Sequence, residues 1–340
     1  MSKHINIPVF IPHIGCPNNC VFCNQHKITG KGELADRNIR EEIENALSTY
    51  EGCPENAEIA FFGGSFTGID RSEMKELLKT AYDYVKSGRV NSIRLSTRPD
   101  YISREILDIL KEYGVTDIEL GIQSMSDKVL AASKRGHTSE QTRKACALIK
   151  EYGFTLVGQM MVGLPGACIS DELFTAREII KMGCDGTRIY PTVVFQETEL
   201  CDMAKSGIYT PITVQEAVER SAGVYEVFAD AGIQILRIGL QSTEELVSGK
   251  GVYAGANHPS LGELVIGEYY FKKMRTEIPE ILKPGENILT IICAPGEQSK
   301  VAGQKKHNKT RLLEEFKNIK NIKIVTNQDV QQNMLEYTIN

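Results

Sequence analysis

The chain has 340 residues, 41% hydrophobic and 24% charged, a balance that fits a soluble globular protein with one large α/β domain and room for a smaller one. Its net charge of −5 excludes a uniformly basic nucleic-acid binder and leaves only a local basic patch for that role. The opening MSKHINIPVFIPHIG lacks a long apolar core and no run of 18 apolar residues occurs, so no signal peptide or membrane partner is expected and the protein is read as cytoplasmic.

In chain order, apolar runs rich in β-branched residues predict strands over Ile5–Ile11, Ala57–Phe62, Ser92–Ser96, Asp117–Leu120, Thr155–Val162, Gly186–Tyr190 and Gln234–Ile238. Helical spacing between them predicts helices over Asp36–Tyr50, Arg71–Ser87, Ser103–Tyr113, Ser139–Tyr152, Asp171–Met182 and Thr213–Ala231. Several of these stop at a glycine: Gly114, Gly153, Gly183 and Gly232. Strand–helix repetition of this kind reads as parallel βα units in an open or closed α/β barrel over residues 1–240. Active residues of such folds gather at the C-terminal edge of the sheet. After Leu240 the alternation breaks down. Residues 241–285 are rich in glycine and charge without a clear period, and a small α/β tail follows. It has strands near Asn287–Cys293 and Asn321–Val325 and a helix near Lys309–Lys317. Residues 241–340 are read as a C-terminal α/β extension with a substrate-binding role.

Three of the nine cysteines, Cys16, Cys20 and Cys23, fall within eight residues just past the first strand. Thiolates that close on one loop suit a soft metal centre. Zinc would need a fourth ligand, for which only His13 and His26 lie nearby, at unusual spacings. An iron–sulfur cube held by three cysteines leaves one iron open to an outside ligand. The spacing alone also leaves coincidence open. The other six cysteines (Cys53, Cys146, Cys168, Cys184, Cys201 and Cys293) are scattered and read as small buried apolar residues.

Polar and glycine-rich segments close the later strands. Gly63-Gly64-Ser65 ends the second, where absent Cβ atoms let backbone approach a ligand. Ser96-Thr97-Arg98-Pro99-Asp100 ends the third, with Arg98 suited to a carboxylate or a phosphate. Glu119 and Gln123 end the fourth, as ligand contacts or as a satisfied loop network. Lys134-Arg135-Gly136-His137 follows a helix, with Arg135 either a carboxylate partner or a solvated cation. Gln159 is polar within the apolar fifth strand, which turns at Gly163-Leu164-Pro165-Gly166. Tyr190 ends the sixth, as a substrate-side residue or a rim aromatic. In the tail, Pro295–Arg311 combines glycines with Lys300, Lys305, Lys306, His307, Lys309 and Arg311. It reads as a phosphate-docking segment or as a solvated basic loop.

The Cys-x3-Cys-x2-Cys spacing, with aromatic Phe22 before the last cysteine, resembles the signature of the radical S-adenosylmethionine (SAM) superfamily. The resemblance implies a partial (β/α)6-type barrel. It also implies a 4Fe–4S cluster on Cys16, Cys20 and Cys23, and reductive cleavage of SAM to a 5′-deoxyadenosyl radical. Phe22, Gly63, Gly64, Ser65, Glu119, Gln123, Arg135, Gln159 and Leu164 would then contact SAM through its amino, carboxylate, ribose and adenine groups. Arg98 and Tyr190 would serve catalysis, and an electron donor such as ferredoxin or flavodoxin would be a partner. Six or seven ordered motifs between about residues 5 and 240 are similar to the radical SAM half of the Elongator catalytic subunit, which implies modification of a tRNA base. The roughly 100 residues after Leu240 are too few for that subunit's acetyltransferase domain, so acetyl-CoA chemistry is not carried over. A small-molecule oxidoreductase similar to coproporphyrinogen dehydrogenase, and a non-catalytic iron–sulfur or heme carrier, are the alternatives. The intact glycine and glutamine positions argue against a carrier.

Overall fold

A computed structural model of the chain describes residues 5–11, 16, 19–23, 38–241, 246, 248–285 and 287–339. His13, His26 and Asp36, the first residue of the first predicted helix, lie outside the described residues. The leading strands are β1 (Ile5–Ile11), β2 (Ala57–Gly63), β3 (Ser92–Thr97), β4 (Val115–Gln123), β5 (Thr155–Val162) and β6 (Gly186–Pro191). A short β7 (Val193–Phe195) and then β8 (Gln234–Ile238) follow. Seven of these hydrogen-bond in the order β1-β2-β3-β4-β5-β6-β8, every pair parallel. β8 is one strand more than the six-unit barrel requires.

The helices are α1 (Ile39–Ser48), α2 (Arg71–Lys86), α3 (Arg104–Glu112), α4 (Asp127–Ala132), α5 (Ser139–Glu151), α6 (Ile169–Lys181), α7 (Glu199–Lys205) and α8 (Val214–Asp230). Local chemistry sets several of their ends. Asp70, Ser103, Thr138 and Thr213 each cap the first turn of α2, α3, α5 and α8 through a side-chain oxygen. The chain leaves α3, α5, α6 and α8 through glycines with positive φ (Gly114, Gly153, Gly183 and Gly232).

Because strand order follows chain order, every right-handed crossover turns the same way and the long helices cover one face of the sheet. The sheet curls away from them into a half-barrel. Alternate residues of each strand therefore have opposite fates. On the helix side Ile7, Val9, Ile59, Phe61, Ile93, Leu95, Ile118 and Leu120 are fully excluded from water in one hydrophobic core.

The concave side is polar, and its floor is an ion network. Arg94 reaches Glu58 through Nε (2.7 Å), Glu119 through Nη1 (3.0 Å) and Asp117 through Nη2 (3.2 Å). Arg188 Nη2 donates to the same Glu119 Oε1 at 2.8 Å, and Ser92 donates to Glu58 at 2.8 Å. These charges are largely shielded from water by the curl of the sheet; Arg94 on β3 is held by carboxylates on the neighbouring β2 and β4, and Arg188 on β6 reaches across β5 to Glu119.

Beyond residue 240 the chain returns to the barrel before leaving it. β9 (Val252–Gly255) pairs antiparallel with β7. Helix α9 (Leu261–Glu277) packs on α8 and contributes Leu261 to the barrel core. Its other residues, among them Val265, Tyr270, Phe271 and Met274, build a second core under a three-stranded sheet. That sheet has β10 (Asn287–Cys293) at its centre, β11 (Ile319–Thr326) parallel to it and β12 (Leu335–Ile339) antiparallel. α10 (Gln298–Ala302) and α11 (His307–Glu315) complete the extension. The sequence hides α9 because a helix wedged between two cores is apolar on most sides and shows no single stripe.

Four of the six scattered cysteines (Cys146, Cys184, Cys201 and Cys293) are buried as expected, but Cys53 and Cys168 are exposed. Cys168 sits at the N-terminus of α6 with its sulfur 3.0 Å from Asp171, a polar end where burial is not required.

Candidate active site at the sheet's C-terminal edge

The cysteine loop leaves β1 and is pinned over the carboxyl ends of the strands. The Val21 amide donates to the Ser133 carbonyl (3.2 Å) and the Leu200 amide to the Val21 carbonyl (2.8 Å). Val21 is buried in a small cluster with Val194, Leu200, Cys201 and Tyr209, against which Phe22 packs half-buried. The Cys23 amide bonds to the Cys20 carbonyl at 3.0 Å and closes a tight turn.

The sulfurs of Cys16 and Cys20 meet polar groups from later in the chain. Cys16 lies 3.2 Å from the hydroxyl of Ser65. Buried Cys20 accepts from Arg135 Nη1 at 3.4 Å, with Arg98 Nη1 at 3.9 Å. Among the described residues no three His, Cys, Asp or Glu side chains close on one metal ion. The thiolates of a cube each bind a different iron, so its ligands do not converge as zinc ligands do.

The glycine pair stands beside this loop. The Gly64 amide donates to the Ile11 carbonyl at 2.9 Å, and Gly63 has a φ of 104°, which leaves a surface without Cβ at the strand mouth. Gln123 ends β4 at a register shift against β5, in the left-handed region at φ 65°. Its side chain is buried, and its Oε1 has no partner among the described residues. A buried acceptor held in a strained backbone and left unpaired is a ligand-facing feature. Arg135 Nε is likewise buried without a partner. Gln159 lies half-buried on the concave side, in register between Gly121 and Arg188.

Other expected ligand contacts are committed elsewhere. Both cations that reach Glu119, Arg94 and Arg188, draw it into the barrel floor, so it is part of the ion network rather than a free acceptor. Arg98, expected to meet a carboxylate or phosphate, is fully buried. Its Nε and Nη2 each bond Asp100 at 2.9 Å, and Nη2 also donates to the Arg135 carbonyl at 2.6 Å. Leu164 is buried in the turn after β5. That turn is fixed by Glu172, which accepts from the Gly163 amide at 2.6 Å, and by the Tyr209 hydroxyl on the Gly163 carbonyl at 2.7 Å. Tyr190 is half-buried above Arg188, and burial pushes its phenol above the ordinary tyrosine range, so it stays protonated.

Sequence reasoning passed over Asp100 as a separate group, and over His137. Burial first, and the Arg135 charge second, lower the His137 pKa to about 3. Neither ring nitrogen has a hydrogen-bond partner among the described residues, and the ring is neutral at physiological pH. The unfolded chain, with an ordinary pKa of 6.5, binds a proton that the folded chain refuses. Stability is therefore full above pH 6.5 and falls as pH drops from 6.5 towards about 3. Between pH 7 and pH 5 this single group accounts for roughly 2 kcal/mol. Urea denaturation at the two pH values should show that loss in the wild type and a smaller one in His137→Leu; equal losses would assign the slope to other groups.

The family model for the radical SAM superfamily matches residues 10–179, half of the chain. The chain belongs to the radical SAM superfamily. The model for the radical SAM C-terminal domain matches residues 184–270. The superfamily works with a 4Fe–4S cluster and SAM, and this chain is one of its enzymes. The sulfur-directed donors, the glycine surface and the unpaired Gln123 oxygen fit that pair of groups.

The tRNA uridine(34) acetyltransferase of Methanocaldococcus jannaschii is 33% identical over 246 residues, 60% of this chain and 45% of that protein. The enzyme of the same name from Methanocaldococcus infernus is 36% identical over 247 residues, 60% of this chain and 46% of that protein. Human Elongator complex protein 3 is 25% identical over 295 residues, 75% of this chain and 53% of that protein. The chain thus spans about half the length of these curated relatives. The solved archaeal Elp3 of Methanocaldococcus infernus superposes with a TM-score of 0.61 at 23% identity, over 82% of this chain and 64% of that one, a likeness of fold. Among the described residues no helix is long and apolar enough to cross a membrane.

Proposed function

We propose that this radical SAM enzyme modifies a tRNA base, with Cys16, Cys20 and Cys23 holding the cluster and SAM lying between it and Gln123. The observation that carries the cofactor part is the buried Gln123 Oε1 at the mouth of β4, which has no partner among the described residues, on the edge where Arg135 meets the Cys20 sulfur. When bound, the cluster and SAM supply hydrogen-atom abstraction from a substrate C–H bond. The chain's own contribution is to orient and exclude water. Gly63 and Gly64 offer a close backbone surface to the amino end of SAM, Arg135 Nε faces its carboxylate, and Gln159 and the Leu164 turn flank its nucleoside. Tyr190 stands on the substrate side, and an external protein such as ferredoxin or flavodoxin supplies the electron.

Two features favour RNA over a small molecule. The relatives at 33% and 36% identity are named for a tRNA uridine. Residues 300–323 also hold seven lysines and one arginine against two glutamates, in a chain of net charge −5. Exposed Lys305 and Lys306 lie consecutively in left-handed backbone before α11, and neither makes an ion pair with a described residue. Phosphate contacts of this kind make affinity fall steeply with salt.

The deciding experiment compares tRNA nucleosides by mass spectrometry between a deletion strain and its parent. Loss of one modified nucleoside is expected. An unchanged profile, together with salt-insensitive tRNA binding, overturns the RNA reading in favour of a small-molecule substrate. In binding assays the double variant Lys305→Glu, Lys306→Glu should weaken tRNA affinity and flatten its salt slope by about 1 to 2 units. SAM cleavage without RNA should stay at the wild-type rate.

A further inference from the structure

We propose that Arg98 and Arg135 set the reduction potential of the cluster through the sulfur of Cys20, with Asp100 as the residue that positions Arg98. The inference rests on the cluster reading above but not on the identity of the substrate.

The Cys16 and Cys20 thiols do not stand in equal surroundings. Cys16 meets a neutral hydroxyl, that of Ser65, whereas Cys20 meets two guanidinium groups. Both cations are held away from water and from alternative partners. Arg98 is clamped by two bonds to Asp100 and one to the Arg135 carbonyl, which leaves Nη1 directed at sulfur.

Arg135 is steered by a different device. Its Nη2 donates to the Gly121 carbonyl at 2.9 Å, and a Cβ on residue 121 would stand 2.7 Å from that same nitrogen. Glycine within β4 therefore makes the room in which the guanidinium lies against the strand. The consequence is two fixed donors on one ligating sulfur, reached from β3 and from the turn between α4 and α5.

Reduction adds one negative charge to a cluster. Hydrogen bonds to a ligating sulfur and buried positive charge both favour the more negative state, and a buried pair is little screened by salt. The two arginines therefore raise the potential and make the cluster easier to reduce. This gives Arg98 a potential-setting role on the metal side of the site instead of a ligand-binding one. Arg135 acts on both sides, through Nη1 on sulfur and through Nε towards the cofactor.

The test is a dye-mediated redox titration of the anaerobically reconstituted full chain, read by the electron paramagnetic resonance signal of the reduced cluster without SAM. Wild type is compared with Arg98→Gln, Arg98→Lys, Arg135→Gln and Arg135→Lys. Iron content and thermal melting record assembly and folding. Each glutamine variant should keep its iron and lose about tenfold in the ratio of reduced to oxidised cluster at a fixed potential, a downward shift of about 59 mV for one electron. Each lysine variant keeps the charge while losing the fork, and should recover most of the shift. Midpoints unmoved in both glutamine variants overturn the inference. So do equal shifts in glutamine and lysine variants, which would mark a merely structural role. A wild-type chain that assembles no cluster overturns the cluster reading, and the inference with it; a wild-type cluster with unmoved variants sinks the inference alone. Arg135→Gln also serves should Arg98→Gln fail to fold, since Asp100 keeps its partner there.

Discussion

Replacing Cys16, Cys20 or Cys23 with alanine should abolish the iron–sulfur cluster and SAM cleavage together, the largest functional effect expected of any substitution in this chain. Two thiolates cannot take the place of three at a cube, and the remaining six cysteines offer no substitute. Four of those are buried, and Cys53 and Cys168 are exposed on other elements. Reconstituted wild type should carry about four irons per chain. Each alanine variant should lose the visible absorbance of the cluster and the release of 5′-deoxyadenosine from SAM. Retention of a full cluster in any one of them would falsify the ligand set. Cys20 is the most sensitive of the three to how it is replaced, because alanine also strips two buried guanidiniums of their sulfur partner. Cys20→Ser keeps an acceptor there, so it should fold more stably than Cys20→Ala while being equally poor in iron. That comparison separates ligand loss from unfolding.

The largest effect on stability is expected at Arg94. Among the described residues its guanidinium is the one group that touches all of Glu58, Asp117 and Glu119, and its side chain and those of the two glutamates are largely excluded from water. Arg94→Met leaves one carboxylate with Arg188 and the other two without the cation that neutralised them. Breaking a buried pair by removing one partner costs about 3–5 kcal/mol, a large share of a typical total of roughly 5–15 kcal/mol. Urea denaturation at pH 7.5 should show that difference between variant and wild type. A gap below about 1 kcal/mol would show that the floor is not held together by this arginine.

Much of the fold was legible from local pattern. The strands over Ile5–Ile11, Thr155–Val162, Gln234–Ile238 and Asn287–Cys293 fall at the residues read from apolar runs, since a strand buried on its helix side must be apolar there. β4 proved longer than its predicted core, running to Gln123 through a shift of register that hydropathy does not record. The pieces that escaped were α9, the short β7–β9 pair, the one- and two-turn helices α4, α7 and α10, and β12. Each owes its existence to packing: α9 to two cores at once, β9 to a partner strand some 60 residues earlier.

The candidate site divides in the same way. Cys16, Cys20 and Cys23 are a local spacing on one loop, and the glycine pair is a local turn, so both could be read without knowing what lies across the barrel. The fate of the charged residues could not. Glu119 and Arg98 have the residue type of a ligand contact, yet one is drawn into the floor by Arg94 and Arg188 and the other is locked by Asp100 against Cys20. Arg188 lies 69 residues from Glu119, and Arg135 lies 115 residues from the sulfur it meets. The sequence by itself determined the alternation of strands and helices and the presence of a three-thiol loop, because periodicity and spacing act over a few residues. Only the tertiary structure decided which cation serves which anion. That choice depends on strand register and on the curl of the sheet, which bring distant side chains into a space without water where every charge must find a partner.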